Sequence, residues 1–141
     1  MTSMFRKTFF AIAILAVLSG CGSSDRHTLK GTVTVNNQPL QQGSIRFIPL
    51  QGTDSPSAGS EIKSGEFSVA ADKGPLCGSF RVEITASRKT GRKSRDRMSG
   101  EMTDIYSQFL PARYNSNSDL TAEVKAGENQ YEFALNSNPN K

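Results

Sequence analysis

The sequence has no tryptophan, a single histidine and only two cysteines among its 141 residues. A zinc site built from His and Cys ligands needs more of both residue types, so such a site is close to excluded. No apolar run reaches the ~20 residues of a membrane-spanning helix. The sequence offers neither a glycine-rich phosphate loop between a strand and a helix nor a Ser-His-Asp set. These absences argue against an enzyme, a bound cofactor and a multi-span membrane protein.

The first twenty residues have the pattern of a secretory signal. Arg6 and Lys7 precede an unbroken apolar run over residues 9–18, which is the order of an n-region and an h-region. The next residues, Leu18-Ser19-Gly20-Cys21, resemble the lipobox of bacterial lipoproteins. That resemblance implies cleavage before Cys21 and acylation of this cysteine, with palmitate among the acyl chains. An ordinary secretory signal that happens to contain a cysteine is the alternative.

Removal of the signal changes the charge balance of the chain. Residues 21–141 keep 15 basic and 13 acidic side chains, so the net charge falls from +4 to +2. The near neutrality gives no global reason to expect nucleic-acid binding. We divide the mature chain into a lipidated tether over residues 21–28, a folded domain over 29–136 and a tail over 137–141.

The folded domain has an all-β pattern. Apolar and polar residues alternate with period two from Leu29 to Val35 and from Phe80 to Ala86, as they do in half-buried strands. The Asn36-Asn37 pair predicts a tight turn after the first strand. About seven short strands are indicated, which favours an antiparallel β-sandwich. Six side chains are assigned to its core: Phe47, Phe67, Phe80, Val82, Ile84 and Phe133.

Three groups of spaced residues follow one another along the domain. They are Gly31-x-Val33-x-Val35 with Gly43-x-Ile45-x-Phe47-x-Pro49, then Ile62-x-x-Gly65-x-Phe67 with Gly74-Pro75-x-x-Gly78-x-Phe80, and finally Leu110-Pro111-Ala112-Arg113-Tyr114-Asn115. Their order and spacing resemble bacterial lipoproteins that carry a carboxypeptidase regulatory-like domain. The resemblance implies a transthyretin-like (prealbumin-like) β-sandwich without catalytic activity.

This resemblance leads to a functional expectation. We expect a non-catalytic cell-envelope lipoprotein whose β-sandwich serves as a structural or interaction module, held to the membrane by the lipid on Cys21. Gly22, rather than Asp, follows the cysteine. By resemblance to lipoprotein sorting in two-membrane bacteria, this favours the outer membrane, with the domain facing the periplasm or the exterior. An envelope protein or an anionic polymer is the expected partner.

One charge cluster stands out in the second half of the domain. Six cations fall within ten residues: Arg88, Lys89, Arg92, Lys93, Arg95 and Arg97. Glycine and serine among them predict a loop. It is either a solvated loop that protects a sheet edge or a contact for anionic lipid or acidic glycan, held near the membrane by the tether. The run contains no aromatic residue, which disfavours nucleic acid.

Three further residues carry open alternatives. Cys77 lies in a turn-like stretch and is either a half-buried loop residue or a thiol for an interchain disulfide. His27 falls in the tether and is expected to be solvated. Tyr114, before the last hairpin, is expected to cover the sandwich edge while its hydroxyl finds a backbone partner. A ligand pocket centred on Tyr114 and Arg113 is the alternative.

Overall fold

The structure, a computed structural model, describes residues 25–138. Within them the chain forms ten strands and two short 3₁₀ turns, and no α-helix is present in this part of the chain. In chain order the strands are β1 (Thr28–Val35), β2 (Gln38–Pro39), β3 (Gln42–Pro49), β4 (Ala58–Lys63), β5 (Glu66–Val69), β6 (Gly78–Thr85), β7 (Ser87–Arg95), β8 (Met102–Gln108), β9 (Thr121–Val124) and β10 (Glu128–Leu135). The 3₁₀ turns are Ala71–Lys73 and Ala112–Tyr114.

Eight of the strands form one sheet that folds over on itself. Its order is β10-β1-β5-β4-β3-β6-β9, with β2 paired on β1. The adjacent strands β4 and β5 share the single pair Lys63–Glu66 beside their turn, so the sheet opens there into two layers. One layer is β10-β1-β5 and the other is β4-β3-β6-β9. The predicted all-β sandwich is confirmed, with more strands than the pattern indicated.

One strand pair differs from the antiparallel expectation. β1 and β10 run parallel, in register from Thr28–Glu128 to Val35–Leu135. A parallel pair needs a long crossover connection, and here the whole domain between the first and last strands supplies it. Both strands still alternate between buried and exposed residues, because the outer face of their layer is open to solvent. The period-two pattern therefore identified the strands but not their relative direction.

Two tight turns set the register of the hairpins. Asn36 and Asn37 have φ values of 52° and 64°, and Ser64 and Gly65 have φ values of 52° and 81°. Positive φ at both central residues is the type I′ geometry, whose twist matches that of the flanking strands. The turn predicted from the Asn36-Asn37 pair is confirmed.

The core lies between the two layers. All six predicted core side chains are buried, and Phe47, Phe80, Val82 and Ile84 have no exposed surface. The ring of Phe47 on β3 is 6.0 Å from that of Phe67 on β5 and 5.7 Å from that of Tyr131 on β10. These aromatic contacts join one layer to the other.

The half-buried Tyr131 closes the edge of the core. Its hydroxyl donates a hydrogen bond to the carbonyl oxygen of Glu123 (2.8 Å). Partial burial, with a smaller contribution from the Glu123 carboxylate, raises the pKa of Tyr131 to about 12. The phenol therefore stays neutral throughout the physiological range.

Candidate binding surface on the basic hairpin

The six clustered cations lie on a hairpin, and the prediction of a loop is wrong. β7 and β8 pair antiparallel from Ser87–Gln108 to Arg95–Met102, apart from the main sheet. The register shifts between Lys89 and Lys93, where Gly91 has a φ of 78°. The glycine in this segment was one reason for the predicted loop. At a β-bulge, however, glycine allows a strand to continue with one local kink. Every residue of β7 is exposed.

The base of the hairpin is fixed to the sandwich. The backbone N–H of Ala86 donates to the side-chain oxygen of Gln108 (2.9 Å), and the N–H of Phe109 donates to the carbonyl of Ala86 (3.1 Å). Ala86 and Leu110 on either side are buried. The hairpin therefore leaves the core from a defined position, while both of its strands extend into solvent.

The tip of the hairpin is organised by Asp96. Its carboxylate accepts hydrogen bonds from the backbone N–H of Ser99 (2.7 Å) and of Met98 (2.8 Å), and from the Ser99 hydroxyl (3.2 Å). These bonds, that of the Ser99 amide first, hold the pKa of the Asp96 carboxyl below its usual value. The turn presents Met98 to solvent with 99% of its surface exposed.

The cations differ in how they are engaged. Lys89 Nζ lies 2.5 Å from Asp104 Oδ2, and this hydrogen-bonded pair raises the pKa of Lys89. The Arg88 guanidinium lies over the ring of Phe109, 5.5 Å from its centroid. Within residues 25–138, the other four cations form neither an ion pair nor a contact with an aromatic ring: Arg92, Lys93, Arg95 and Arg97.

The hairpin holds all of the net positive charge of the mature chain. Residues 87–108 carry six basic and three acidic side chains, a net charge of +3. Subtracting them from the 15 basic and 13 acidic residues of 21–141 leaves nine and ten, a net charge of −1. The positive potential is therefore local, and it lies on a projecting element rather than over the domain.

Exposed apolar side chains accompany the charge, and the sequence pattern did not predict them. The described residues include four large exposed hydrophobic side chains, and three of them lie on this hairpin: Met98, Met102 and Tyr106. Met102 is paired with Arg95 and Tyr106 with Lys89, so cations and apolar groups share one face. A turn predicted at residues 96–101 between two extended segments would have brought these cations and apolar residues together on one hairpin.

A cleft of about 550 Å³ lies where the hairpin meets the sandwich. Arg88, Lys89, Tyr106 and Phe109 line one side. Residues 35–42, at the end of β1 and around the following turn, contribute to the other side. This contact shows that the hairpin emerges beside the C-terminal end of β1.

The opposite end of β1 carries the N-terminal segment, and the expectation that His27 is solvated is wrong. His27 is 6% exposed, and its Nδ1 accepts a hydrogen bond from the backbone N–H of Gly127 (3.2 Å). The neutral ring then carries its proton on Nε2, which lies 3.2 Å from Cys77 Sγ. The backbone N–H of His27 also donates to the carbonyl of Pro75 (2.9 Å). The domain thus begins before residue 28 because these partners, distant in sequence, fix the segment.

The sandwich therefore has two poles. We call the end with His27, Cys77 and Gly127 the anchor pole, and the end from which β7 and β8 leave the hairpin pole. β6 links them: it begins one residue after Cys77 and ends two residues before β7. At ~3.3 Å per residue, its eight residues separate the poles by about 25 Å.

The half-buried position of Cys77 is as expected. The cysteine is disulfide-bonded, so its sulfur has no thiol proton to titrate. Cys21, the predicted lipid attachment site, lies outside the described residues.

Tyr114 and Arg113 tie down the C-terminal segment. Tyr114 is buried, and its hydroxyl accepts a hydrogen bond from the backbone N–H of Asn136 (3.1 Å), as expected for a backbone partner. The Arg113 guanidinium lies over the Tyr114 ring (4.9 Å to the centroid) and donates to the carbonyl of Asn138 (3.2 Å). Both side chains are thus engaged within the fold rather than directed at a ligand.

Two kinds of feature are absent from the described residues. Among residues 25–138, no group of three or more His, Cys, Asp or Glu side chains is placed to hold a metal ion. Over the same residues, no helix has the length and apolar character required to cross a membrane.

The comparisons with known proteins do not indicate a function. No family model and no curated protein matches the chain. Among solved structures, the chain is similar to a 9R-lipoxygenase from Cyanothece PCC8801, with 13% sequence identity and a TM-score of 0.36. The match covers 96% of this chain and 20% of that one, so the chain spans about a fifth of its length. A likeness at this level says nothing about function.

Proposed function

We propose that the protein is a non-catalytic cell-envelope lipoprotein whose β-sandwich serves as a structural or interaction module. The order of cations, apolar run and lipobox over residues 6–21 is the observation that carries the proposal. Arg26 lies five residues after Cys21 in the sequence, and its Nη1 donates to the carbonyl of Gly74 (3.0 Å). At ~3.6 Å per residue, the domain starts within about 18 Å of the acylated cysteine.

The family and the location are part of the same proposal. The glycines of the carboxypeptidase regulatory-like motif have a physical use in this fold, since Gly65 and Gly78 take φ values of 81° and 148° where strands begin. The transthyretin-like sandwich and the absence of a nucleophile–base pair among the motif residues both support a non-catalytic module. Gly22 after the cysteine supports the outer membrane, with the domain facing the periplasm or the exterior.

Replacement of the anchor residue tests the proposal directly. The Cys21→Ala variant is expected to accumulate as an unprocessed, unacylated precursor, because the acyl acceptor and the cleavage site are lost together. Mass spectrometry of the membrane fraction should find acyl chains on Cys21 of the parent protein and none on the variant. A mature N-terminus at another residue, or a Cys21 without lipid, would contradict the lipoprotein assignment.

The state of Cys77 gives a second readout in the same experiment. A sulfur that carries a lipid thioether cannot also form a disulfide, so acylation of Cys21 and a bond between the two cysteines of the chain exclude one another. In the acylated protein we therefore expect the disulfide of Cys77 to join two molecules, so that the protein is found as a disulfide-linked dimer. Recovery of an intrachain disulfide would show that Cys21 is not acylated.

The hairpin supports a second candidate function, the binding of anionic lipid or acidic glycan. Its net charge of +3, against −1 for the rest of the mature chain, is the observation that favours it. Charge carried on a projecting element meets an extended anionic surface before the rest of the domain does. Each cation near such a surface adds to the attraction within about a Debye length.

The four hairpin cations with neither an ion pair nor a ring contact provide the test of anion binding. Residues 22–141 are expected to bind anionic vesicles or acidic polysaccharide in low salt and to lose that binding by ~0.5 M salt, where screening is ~4 Å. The variant with Ser at Arg92, Lys93, Arg95 and Arg97 should not bind, and its melting temperature should be unchanged. A control with Ser at the exposed Arg46, Lys73 and Lys125 loses nearly as much charge and should still bind. Equal binding by both variants would exclude the hairpin as the contact.

A further inference from the structure

The geometry points to a bilayer as the partner of the hairpin, and to a bilayer other than the one that holds the lipid anchor. We infer that the hairpin docks tip first on an anionic membrane, with Met98 entering the boundary between head groups and acyl chains. This inference rests on the proposed anion-binding function of the hairpin and names its partner.

The first step is the apolar content of the hairpin. Met98 at the tip is 99% exposed, and Met102 and Tyr106 on β8 are 54% and 56% exposed. Outside the hairpin, the one large hydrophobic side chain of the described part that is exposed is Leu50, at 38%. An acidic polysaccharide has no apolar interior to receive a methionine, whereas a bilayer offers an anionic surface and an apolar layer beneath it.

The second step is the register of the two strands. Arg95 pairs with Met102, and Lys89 pairs with Tyr106. Paired residues lie on the same face, so Met102 and Tyr106 each have a cation beside them. Long cationic side chains keep their charge at the head groups while their stems cover apolar surface, and tyrosine favours the membrane interface. The arrangement has the chemistry of an interfacial hairpin.

The third step is that most of the acidic side chains of the hairpin already have partners. The carboxylate of Asp96 at the tip is held by two backbone amides and one hydroxyl, and the carboxylate of Asp104 is paired with Lys89. Two of the three acidic side chains are thus engaged within the hairpin. The repulsion that they would meet at an anionic surface is reduced, while four cations stay available.

The fourth step is position. In the proposed lipoprotein the lipid is attached six residues before His27 in the sequence, and His27 lies at the anchor pole. The hairpin leaves from the other end of the sandwich, about 25 Å away along β6. The nine residues of β7 add up to about 30 Å when extended. An extended hairpin of this length can reach a surface that faces the anchoring membrane, so one molecule can link the two.

The absence of tryptophan from the chain makes the docking directly measurable. The strands and the core of the described residues lie within residues 28–135, so residues 22–141 contain the folded domain that the structure describes. We place a single Trp at the tip by Met98→Trp, and a matched Trp at the other pole by Leu50→Trp. With vesicles of phosphatidylglycerol and phosphatidylcholine, the Met98→Trp emission should shift to the blue, and the Leu50→Trp emission should not. No shift at position 98 in bound protein would overturn insertion.

Variants of the three apolar residues distinguish insertion into a bilayer from attraction by charge alone. Replacement of Met98, Met102 and Tyr106 by Ser should weaken binding to these vesicles by about tenfold or more, as expected for lost apolar burial, and leave binding to polygalacturonate unchanged. Leu50→Ser should change neither. If the triple variant binds both probes like the parent, the basic surface remains and the bilayer inference is wrong. If the parent binds neither probe, the anion-binding function itself fails.

The two-surface arrangement has its own assay. The domain with an N-terminal hexahistidine tag in place of the lipid is loaded on phosphatidylcholine vesicles that contain a nickel-chelating lipid. Addition of phosphatidylglycerol vesicles should raise light scattering, and imidazole should reverse it, because the two poles then hold different vesicles. The Ser variant of the three apolar residues should not cluster vesicles. Clustering by that variant, or a blue shift of Met98→Trp on the anchoring vesicles alone, would contradict docking on a second bilayer.

Discussion

The Phe47→Ala variant is expected to lose about 3–5 kcal/mol of unfolding free energy. Phe47 has no exposed surface, and its ring contacts Phe67 of one strand and Tyr131 of another, both in the opposite layer. Truncation leaves a cavity between layers that cannot close without moving both. Since small domains have a total stability of about 5–15 kcal/mol, this single change removes a large part of it. Urea unfolding followed by circular dichroism gives the measurement.

The neighbouring residue supplies the control for this prediction. Arg46 lies on the same strand, is exposed and points to the other face, so Arg46→Ala should cost less than about 1 kcal/mol. Glu83 is a poorer control than its outward position in the pattern suggests, because it is 18% exposed and paired with Arg81 (2.9 Å). Similar losses for Phe47→Ala and Arg46→Ala would mean that the core face of β3 is misassigned.

The parts of the fold that the sequence predicted are those with local causes. Period-two alternation identified β1, β3, β6 and β10, because one face of each strand is buried and the other is solvated. The Asn36-Asn37 turn followed from the ability of asparagine to take positive φ. Both signals arise within a few neighbouring residues, so no knowledge of the partner strand was needed.

The parts that were missed depend on partners far along the chain. His27 is buried because Pro75, Cys77 and Gly127 contact it. The residues next to His27 in the sequence give no indication of these contacts. β7 was predicted as a loop because neither of its faces is buried, which removes the alternation that marks a strand. Its strand conformation comes from pairing with β8 alone.

The candidate site was predicted in charge but not in position. The six cations are visible in the sequence, and the structure brings them onto one hairpin. The position of that hairpin relative to the N-terminal segment could not be derived from the sequence. The relation emerges from the length and direction of β6, which carries the chain from the anchor pole to the hairpin pole. The proposed contact with a facing surface depends on this relation.

The Gly31→Ala variant is expected to lose about 3 kcal/mol or more, although alanine is a small residue and β1 is extended at this point. A Cβ at position 31 would lie 2.1 Å from the carbonyl oxygen of Tyr131 and 2.8 Å from the Phe67 ring. The first of these atoms belongs to the backbone of β10, so relief requires β1 and β10 to separate. Crowding of this kind is at the upper end of the usual cost of overpacking.

Gly127→Ala is the control. A Cβ at Gly127 meets no atom within 4 Å, and the φ of this residue is 95°. The variant therefore tests backbone strain alone, which costs about 1–2 kcal/mol. Thermal unfolding of the two variants should place Gly31→Ala well below Gly127→Ala. The reverse order would show that the β1–β10 pair is looser than its parallel register implies.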